Sequence, residues 1–278
     1  MRLFLLPIST RRTLIYAQRL NVTTTSQQSW LDKGTTRAAK LWAGWEKKES
    51  GWQRKIVDYG NKALKRIPYE EWGLKSIPPL SARRKEEELS GEERVEVQFP
   101  SSLISEEKVL DVLRTLGTER KSLHKQRMIY CFIGMPISAP FALVPIIPNL
   151  PFFYLVFRAW SHWRALSGSK HIEFLLDKQL IAPKPSKILD MLYSSGQRPF
   201  DAGSISSSTD PNLDAPTDTM VLHESDGKRI GTTLEMPELE IELDRAVWQV
   251  EKALEADKEL RQEKADLQEA NSNPREKK

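Results

Sequence analysis

One uninterrupted apolar stretch dominates the pattern of hydrophobic and polar positions along this chain. Residues 128–157, thirty in a row, carry no charged side chain. A helix that crosses a bilayer needs about 20 apolar residues, so the stretch is long enough for one crossing and too short for two complete helices. Its five prolines each remove an amide donor and cannot all lie in one regular helix. The pattern predicts a mainly α, helical membrane protein with one Pro-broken apolar hairpin or a single span.

The broken part of this stretch is the candidate ion path or membrane segment. Carbonyl groups freed by prolines must be sheltered by partner protein, line a polar path, or lie near the interface as the tip of a re-entrant hairpin. The residues predicted to shape this segment are Pro136, Pro145, Pro148, Asn149 and Pro151. A buried core of a soluble fold is the alternative, although few soluble cores use so long an uncharged run.

A second helix is expected where the apolar stretch ends. Asn149 and Pro151 are helix-start signals, and the helix is predicted to stop at Gly168. Aromatic and cationic side chains follow directly after the apolar stretch, where a helix that leaves the bilayer would reach the membrane surface. The predicted interfacial anchors are Arg158, Trp160, Trp163 and Arg164.

Helices are also predicted on both sides of this region. Ser105, followed by two glutamates, has the composition of a helix start. From Pro237 to about Ala270, apolar residues recur at helical spacing and predict a charged amphipathic helix. That helix either docks on its own protein or joins a coiled coil. The polar residues 194–233 between them predict a disordered linker.

The first 31 residues have the composition of a targeting segment. They contain four arginines and many hydroxyl side chains, and they lack Asp and Glu. This composition is typical of mitochondrial transit peptides. The apolar run from Leu3 to Leu6 is too short for a secretory signal, which needs about 7–15 apolar residues. The composition leaves open whether the segment is removed.

Residues 32–127 form a basic, Trp-rich region that is predicted to be helical and to face the matrix. Basic residues interleaved with aromatic ones can bind single-stranded nucleic acid or an anionic membrane surface, and the membrane is favoured. Burial of the tryptophans inside the fold is an equally good explanation. The remaining predicted regions are a membrane-embedded segment with an interfacial helix (128–167), an amphipathic extension (168–193), the linker (194–233), the charged helix (234–270) and a tail (271–278).

Composition excludes several classes of protein. The 42 Lys and Arg against 38 Asp and Glu leave a net charge of +4, which gives no case for nucleic-acid binding. A mean hydropathy of -0.50 excludes a polytopic membrane protein. A single cysteine excludes an intramolecular disulfide framework, and no Cys/His spacing indicates a zinc site. No phosphate loop, dinucleotide fingerprint or nucleophile elbow is present, so we expect neither an enzyme nor a cofactor or metal.

Three segments together resemble one known family. They are residues 1–10, the basic Trp-rich segment, and Pro148-Asn149-Leu150-Pro151 with the following residues 157–165 and 168–170. These motifs are similar to the mitochondrial K+/H+ exchange-related proteins of fungi and other eukaryotes, over about residues 1–190. The resemblance implies an inner-membrane protein that takes part in electroneutral exchange of matrix K+ for protons, and so in matrix potassium and volume homeostasis.

Exchange of K+ for protons needs a polar path and a titrating group. Residues 128–157 contain no Asp, Glu, His, Lys or Arg, so the nearest titrating candidates are His162, His171 and Glu173. A structural, hydrogen-bonded role is the simpler expectation for the two histidines.

A single monomer with one such stretch is too small for an alternating-access carrier. The expected partners are therefore the lipid bilayer, K+ and H+ as transported ions, and either further copies in a homo-oligomer or a larger exchanger complex. The alternative is a membrane-anchored scaffold of the inner membrane without transport activity of its own.

Overall fold

Nine helices of eight or more residues and four strands lie in the part of the chain that the computed structural model describes, which is residues 1–18, 37, 44–48, 50–91, 94–140, 149–196 and 218–272. The strands are Arg2–Pro7 (β1), Thr13–Gln18 (β2), Val95–Phe99 (β3) and Ile181–Pro185 (β4). The helices are Trp52–Lys65 (α1), Tyr69–Ser76 (α2), Ala82–Ser90 (α3), Glu106–Thr118 (α4), Lys121–Ser138 (α5), Leu150–Asp177 (α6), Lys187–Gly196 (α7), Glu224–Thr233 (α8) and Pro237–Ser272 (α9). The fold is mixed α/β, so the prediction of a mainly α membrane protein is wrong.

The sheet explains part of this error. Its strand order is β2-β1-β3-β4, with β1 antiparallel to β2 and parallel to β3, and β3 parallel to β4. Leu3 and Leu5 of β1 lie in the core on one face, whereas Phe4 and Leu6 lie in the core on the other. A strand buried on both faces has a continuous apolar run instead of the alternation of a half-buried strand, so the run from Leu3 to Leu6 gave no strand signal in the sequence. Residues 19–31 of the predicted targeting segment lie outside the described residues.

Helices cover both faces of the sheet. On the first face, α2, α4 and α6 supply Leu74, Val109, Leu113, Ala165, Ile172 and Leu175 to the core. On the second face, α7, α8 and α9 supply Leu189, Tyr193, Ile230, Leu239, Leu243 and Val250. Helices α2 and α6 approach so closely that a Cβ atom at Gly168 would lie 2.1 Å from the carbonyl oxygen of Leu74. This close approach brings the polar side chains of the two helices together.

Helices α5 and α6 contain the described parts of the uncharged stretch and pack against each other. Within the described ranges, no helix offers a segment that is both long and apolar enough to cross a bilayer. The predicted single span or hairpin is therefore wrong. The apolar part of α5 follows two turns that carry Lys121, Lys125 and Arg127, and the apolar part of α6 gives way to polar residues from Arg158 onward.

The prolines and Asn149 have separate positions. Pro136 is exposed and lies inside α5 near its end, and Pro151 is exposed in the first turn of α6. Asn149 caps α6, because its side chain accepts a hydrogen bond from the Phe152 amide at 3.1 Å. It also donates to the carbonyl of Ser138 at 2.7 Å and so joins the ends of α5 and α6. The predicted start of this helix is confirmed. Pro145 and Pro148 lie outside the described residues.

Other helix predictions have mixed outcomes. The helix predicted after Ser105 is confirmed as α4, and the C-terminal helix is confirmed as α9. The apolar residues of α9 pack on the sheet of the same chain, so the structure does not support a coiled coil. Helix α6 continues past Gly168 to Asp177, because that glycine marks a contact with α2 rather than a helix end. Helix α8 lies within the range predicted as a disordered linker, of which residues 197–217 lie outside the described residues.

Candidate functional site

A buried polar cluster joins α2, α5 and α6. Helix α2 supplies Glu71, α5 supplies His124, and α6 supplies Arg158, Ser161 and His162. The residues Glu71, His124 and His162 are at most 1% exposed, and Arg158 is 8% exposed. Since Arg158 and His162 are four residues apart, they lie on one face of α6, directed at Glu71 of the neighbouring helix.

Glu71 is the centre of the cluster. Arg158 donates to both of its carboxylate oxygens, from Nη1 at 2.8 Å and from Nη2 at 3.1 Å. The hydroxyl of Ser161 donates to the same carboxylate. Burial raises the pKa of Glu71, but the hydrogen bonds from Ser161 and Arg158 and the charge of Arg158 outweigh it and hold the pKa below its ordinary value. Glu71 and Arg158 thus form a buried ion pair with bidentate geometry.

The proton positions on the two histidines follow from their neighbours. Arg158 can only donate, so Nε2 of His162, 3.1 Å from Nη2 of Arg158, accepts. A neutral His162 then carries its proton on Nδ1 and donates it to Nδ1 of His124, 3.0 Å away. A neutral His124 carries its own proton on Nε2, which finds no hydrogen-bond partner among the described residues. Arg158 therefore sets the tautomer of both rings.

Burial keeps both rings uncharged. It lowers the pKa of His162 to about 4, against the opposing charge of Glu71 and with the help of Arg158. It also lowers the pKa of His124, again against the opposing charge of Glu71. The cluster at neutral pH is thus one anion, one cation and two neutral imidazoles.

A metal ion fits this cluster poorly. Ligand atoms of Glu71, His124 and His162 lie within 4.8 Å of one another, and no other group among the described residues comes as close to a ligand set. A divalent cation beside Arg158 would leave two buried positive charges without a counter-charge. Coordination through Nδ1 of His162 would also place an Nε2 proton against the donor of Arg158. Arg158 already takes the place of a cation in this site.

The other sequence-predicted residues lie apart. His171 is buried, with Nδ1 2.8 Å from the carbonyl of Pro78 and Nε2 2.8 Å from a carboxylate oxygen of Glu88. Glu173 accepts from Lys121 at 2.7 Å. Of the titrating candidates, the structure brings His162 alone into the cluster.

The predicted interfacial anchors divide in the same way. Arg158 lies in the buried cluster, and Arg164 donates to the backbone carbonyl of Lys75 at 3.0 Å. Trp160 is half-buried, whereas Trp163 is 42% exposed. Sequence reasoning missed Glu71, which lies far from the apolar stretch, and His124, which lies four residues before it, because neither belongs to a motif. The available signal was the small number of histidines, four in 278 residues.

A second feature is the exposed apolar surface at the outer part of α5 and α6, which we call the α5–α6 face. Ile137 is 70% exposed and Phe153 is 62% exposed. No acidic residue occurs between Glu119 and Glu173 in the sequence. The exposed apolar and aromatic residues that define this face are Ile129, Tyr130, Phe132, Ile133 and Ile137 of α5 and Phe153, Tyr154, Val156 and Trp163 of α6.

Comparison with known proteins agrees with the resemblance seen in the sequence. The model of the mitochondrial K+-H+ exchange-related family matches residues 2–176. The chain is 30% identical to "Uncharacterized protein C23H3.12c" of Schizosaccharomyces pombe, over 59% of this chain and 72% of the relative. It is 27% identical to "Uncharacterized protein YDL183C" of Saccharomyces cerevisiae, over 91% of this chain and 85% of the relative. No solved structure matches. The matched residues span β1 to most of α6, and the chain belongs to the mitochondrial K+-H+ exchange-related family.

Proposed function

We propose that this protein takes part in K+-H+ exchange as an accessory subunit of a larger exchanger complex, and that it lies on the matrix-side surface of the mitochondrial inner membrane. The observation that carries the proposal is the α5–α6 face, an apolar surface in a stretch of sequence that has cationic residues and, between Glu119 and Glu173, no acidic ones. Family membership supports the link to exchange. A protein that lies on the membrane surface needs no membrane-spanning helix, and no helix of the described ranges is long and apolar enough to be one.

The α5–α6 face has the size and composition of a docking surface. Its nine large side chains lie on two adjacent helices, whereas scattered single apolar residues are ordinary on protein surfaces. The face includes Tyr130, Tyr154 and Trp163, which have an apolar ring and one polar group. Such side chains are favoured at headgroup depth, so the composition fits adsorption in the plane of a bilayer surface.

The cationic residues near the α5–α6 face indicate which kind of surface it binds. The sequence between Glu119 and Glu173 contains no acidic residue, so its exposed cations have no acidic partner within this segment. Lys125 and Arg127 are exposed directly before the apolar residues of α5. Each Lys or Arg near an anionic membrane contributes about 1 kcal/mol of attraction. We therefore assign an anionic phospholipid surface, rather than a second apolar protein, to this face.

The accessory role is supported by the side chains of the α5–α6 face and of the buried cluster. The sequence between Met128 and Phe157 contains no Asp, Glu, His, Lys or Arg, and the buried cluster is closed by the Glu71–Arg158 ion pair. A K+ path needs exposed carbonyl or carboxylate oxygens that line a cavity. A role beside the ion path therefore agrees better with these side chains than a role as the path itself.

Swelling of isolated mitochondria in potassium acetate tests the proposal, because continued swelling requires K+ to enter in exchange for protons. Mitochondria that lack this chain would be supplied with the wild type, with the Ile133→Ser, Ile137→Ser double variant, or with Ile241→Ser. Ile241 is a matched control, since it is 62% exposed but lies on α9. We expect the double variant to reduce the swelling rate severalfold at equal protein level, and Ile241→Ser to leave it unchanged.

Two outcomes would contradict the proposal in different ways. Normal swelling in the absence of the chain would exclude a role in exchange. Reduced swelling in its absence, with full rescue by the double variant, would exclude the α5–α6 face as the surface that matters. Normal swelling together with loss of other inner-membrane proteins from their complexes would favour the scaffold role instead.

A further inference from the structure

Lys75 is a buried lysine that neither the family nor the sequence pattern singles out. It follows Glu71 by one turn on α2 and is 7% exposed. Its Nζ atom has no hydrogen-bond partner among the described residues. A buried ammonium group ordinarily has a carboxylate or several acceptors around it, because an unpaired charge in the interior is costly.

The carboxylates near Lys75 are already paired with arginines. On α2, Glu71 accepts from Arg158 and Ser161. On α9, Glu242 accepts from Arg245 three residues later. Both arginines keep their charge at any physiological pH, so neither releases its carboxylate to the lysine. Lys75 thus lies between two completed ion pairs with its own charge uncompensated.

Aromatic rings surround the amine instead. Nζ lies 3.2 Å from the ring centroid of Trp72 and 5.6 Å from those of Phe157 and Trp160. Ring faces attract a cation, but more weakly than a carboxylate does. The Trp72 ring also contacts the guanidinium of Arg245 at 4.4 Å, so a charged Lys75 shares this ring with a second cation.

We propose that Lys75 is a proton-binding site, a buried amine walled by aromatic rings and without a carboxylate of its own, which gains and loses a proton in the folded protein. Its significance for exchange rests on the proposed function, but the binding itself does not. Proton uptake places a new charge between Arg158 on α6 and Arg245 on α9, and so acts on the contacts of α2 with both helices. Helix α6 carries part of the α5–α6 face.

The electrostatics of the surroundings agree with this assignment. Burial lowers the pKa of Lys75 to about 7, with Glu71 and Glu242 opposing the shift and Arg158 and Arg245 adding to it. Burial also lowers the pKa of both histidines of the neighbouring cluster, that of His162 to about 4, and so disfavours their charged forms. Lys75 is therefore a group at this junction whose charge changes near neutral pH.

Nuclear magnetic resonance of the full chain with 13C-labelled lysine tests the proposal. The Cε signal of Lys75, assigned by its loss in Lys75→Met, would be followed from pH 5 to pH 11. We expect its midpoint near pH 7, while Lys252, whose pKa is raised by its hydrogen bond to Glu255, titrates at a much higher pH. A Lys75 midpoint above pH 9 would overturn the proposal.

A second variant keeps the test decisive if Lys75→Met fails to fold. Arg245→Gln removes one neighbouring cation and frees Glu242, so the signal that moves most identifies Lys75. We expect its midpoint to rise by roughly one pH unit, a tenfold gain in proton affinity. An unchanged midpoint of every lysine in this variant would contradict the assignment.

The link to exchange has its own measurement. Lys75→Met should flatten the pH dependence of swelling in potassium acetate around pH 7, whereas Lys65→Met, at an exposed position on α1, should leave it unchanged. A lysine that titrates near pH 7 with no effect on the swelling profile would exclude a role of this proton in exchange. Swelling that is normal without the whole chain would reject the proposed function and leave the proton site to be judged by its titration.

Discussion

The two ends of α6 have opposite surroundings. The N-terminal part, from Leu150 to Phe157, is uncharged and exposes Phe153 and Tyr154, whereas the longer C-terminal part buries the polar side chains of Arg158, His162 and His171. The usual expectation, that apolar residues lie inside and charged ones outside, is reversed along a single helix. Burial of Arg158 and His171 is possible because each has a polar partner from another helix, Glu71 for Arg158 and Glu88 for His171, whereas the apolar part exposes large side chains among the described residues.

Removal of the ion pair between α2 and α6 should have the largest effect on stability. Arg158→Met leaves Glu71 buried without its cation, and we expect it to lower the free energy of unfolding by about 3–5 kcal/mol. Urea unfolding followed by circular dichroism measures this loss. Arg83→Met is the control, since the exposed Arg83–Glu87 pair should contribute less than about 1 kcal/mol. Equal losses of unfolding free energy in the two variants would show that the buried Glu71–Arg158 pair does not stabilise the polar part of α6.

Acid should lower the stability of the fold through His162, in the polar part of α6. Burial lowers the pKa of His162 from 6.5 to about 4, so the unfolded chain binds a proton in this range before the folded one does. The contribution of neutral His162 to the free energy of unfolding is therefore fully present above pH 6.5. It is lost as the pH drops towards 4, which lowers the free energy of unfolding by on the order of 3 kcal/mol. Urea midpoints at a series of pH values measure the slope. His162→Gln should flatten the slope in this window, and an unchanged slope would mean that another group is responsible.

The contact of α2 with α6 can be disturbed without changing any charge. Gly168→Ala places a methyl group 2.1 Å from the carbonyl oxygen of Leu74, a backbone atom that cannot turn away. Overpacking of this kind typically costs about 1–3 kcal/mol, and thermal unfolding would show it as a lowered melting temperature. Gly44→Ala is a suitable control, because a Cβ atom there meets nothing within 4 Å. A Gly168→Ala protein as stable as the wild type would mean that the two helices can separate easily.

The sequence predicted the local elements that depend on local signals. The start of α6 at Asn149, the start of α4 after Ser105 and the extent of α9 follow from capping residues and helical spacing. The sheet was missed because β1 is apolar on both faces and lacks the alternation of a half-buried strand. Strands β3 and β4 are each five residues long and lie far apart along the chain, so their pairing has no local signal.

Of the cluster, the sequence singled out two residues: His162 as a titrating candidate, and Arg158 in the different role of an interfacial anchor. His162 was singled out because it follows the apolar stretch, but Glu71 is 91 residues before it and pairs through the close approach of α2 and α6. Lys75 carries no sign of its unusual surroundings, since the arginines that take its carboxylates come from α6 and α9. Long-range pairing of this kind depends on the tertiary fold rather than on any spacing in the sequence.

The α5–α6 face should contribute least to stability. Exposed side chains there make few contacts with the chain itself, so Ile133→Ser with Ile137→Ser should change the free energy of unfolding by less than about 0.5 kcal/mol. Urea unfolding of this double variant beside Ile241→Ser checks this. A loss of several kcal/mol would mean that the face belongs to the core of the protein.

Co-sedimentation with phospholipid vesicles tests most directly whether this face binds a membrane. The purified full chain would be mixed with vesicles that contain an anionic lipid and with purely zwitterionic ones, at low and at physiological salt. We predict that the wild type and Ile241→Ser sediment with the anionic vesicles, more strongly at low salt, and that Ile133→Ser with Ile137→Ser remains in solution. Equal sedimentation of all three proteins, or no binding by the wild type, would contradict the account.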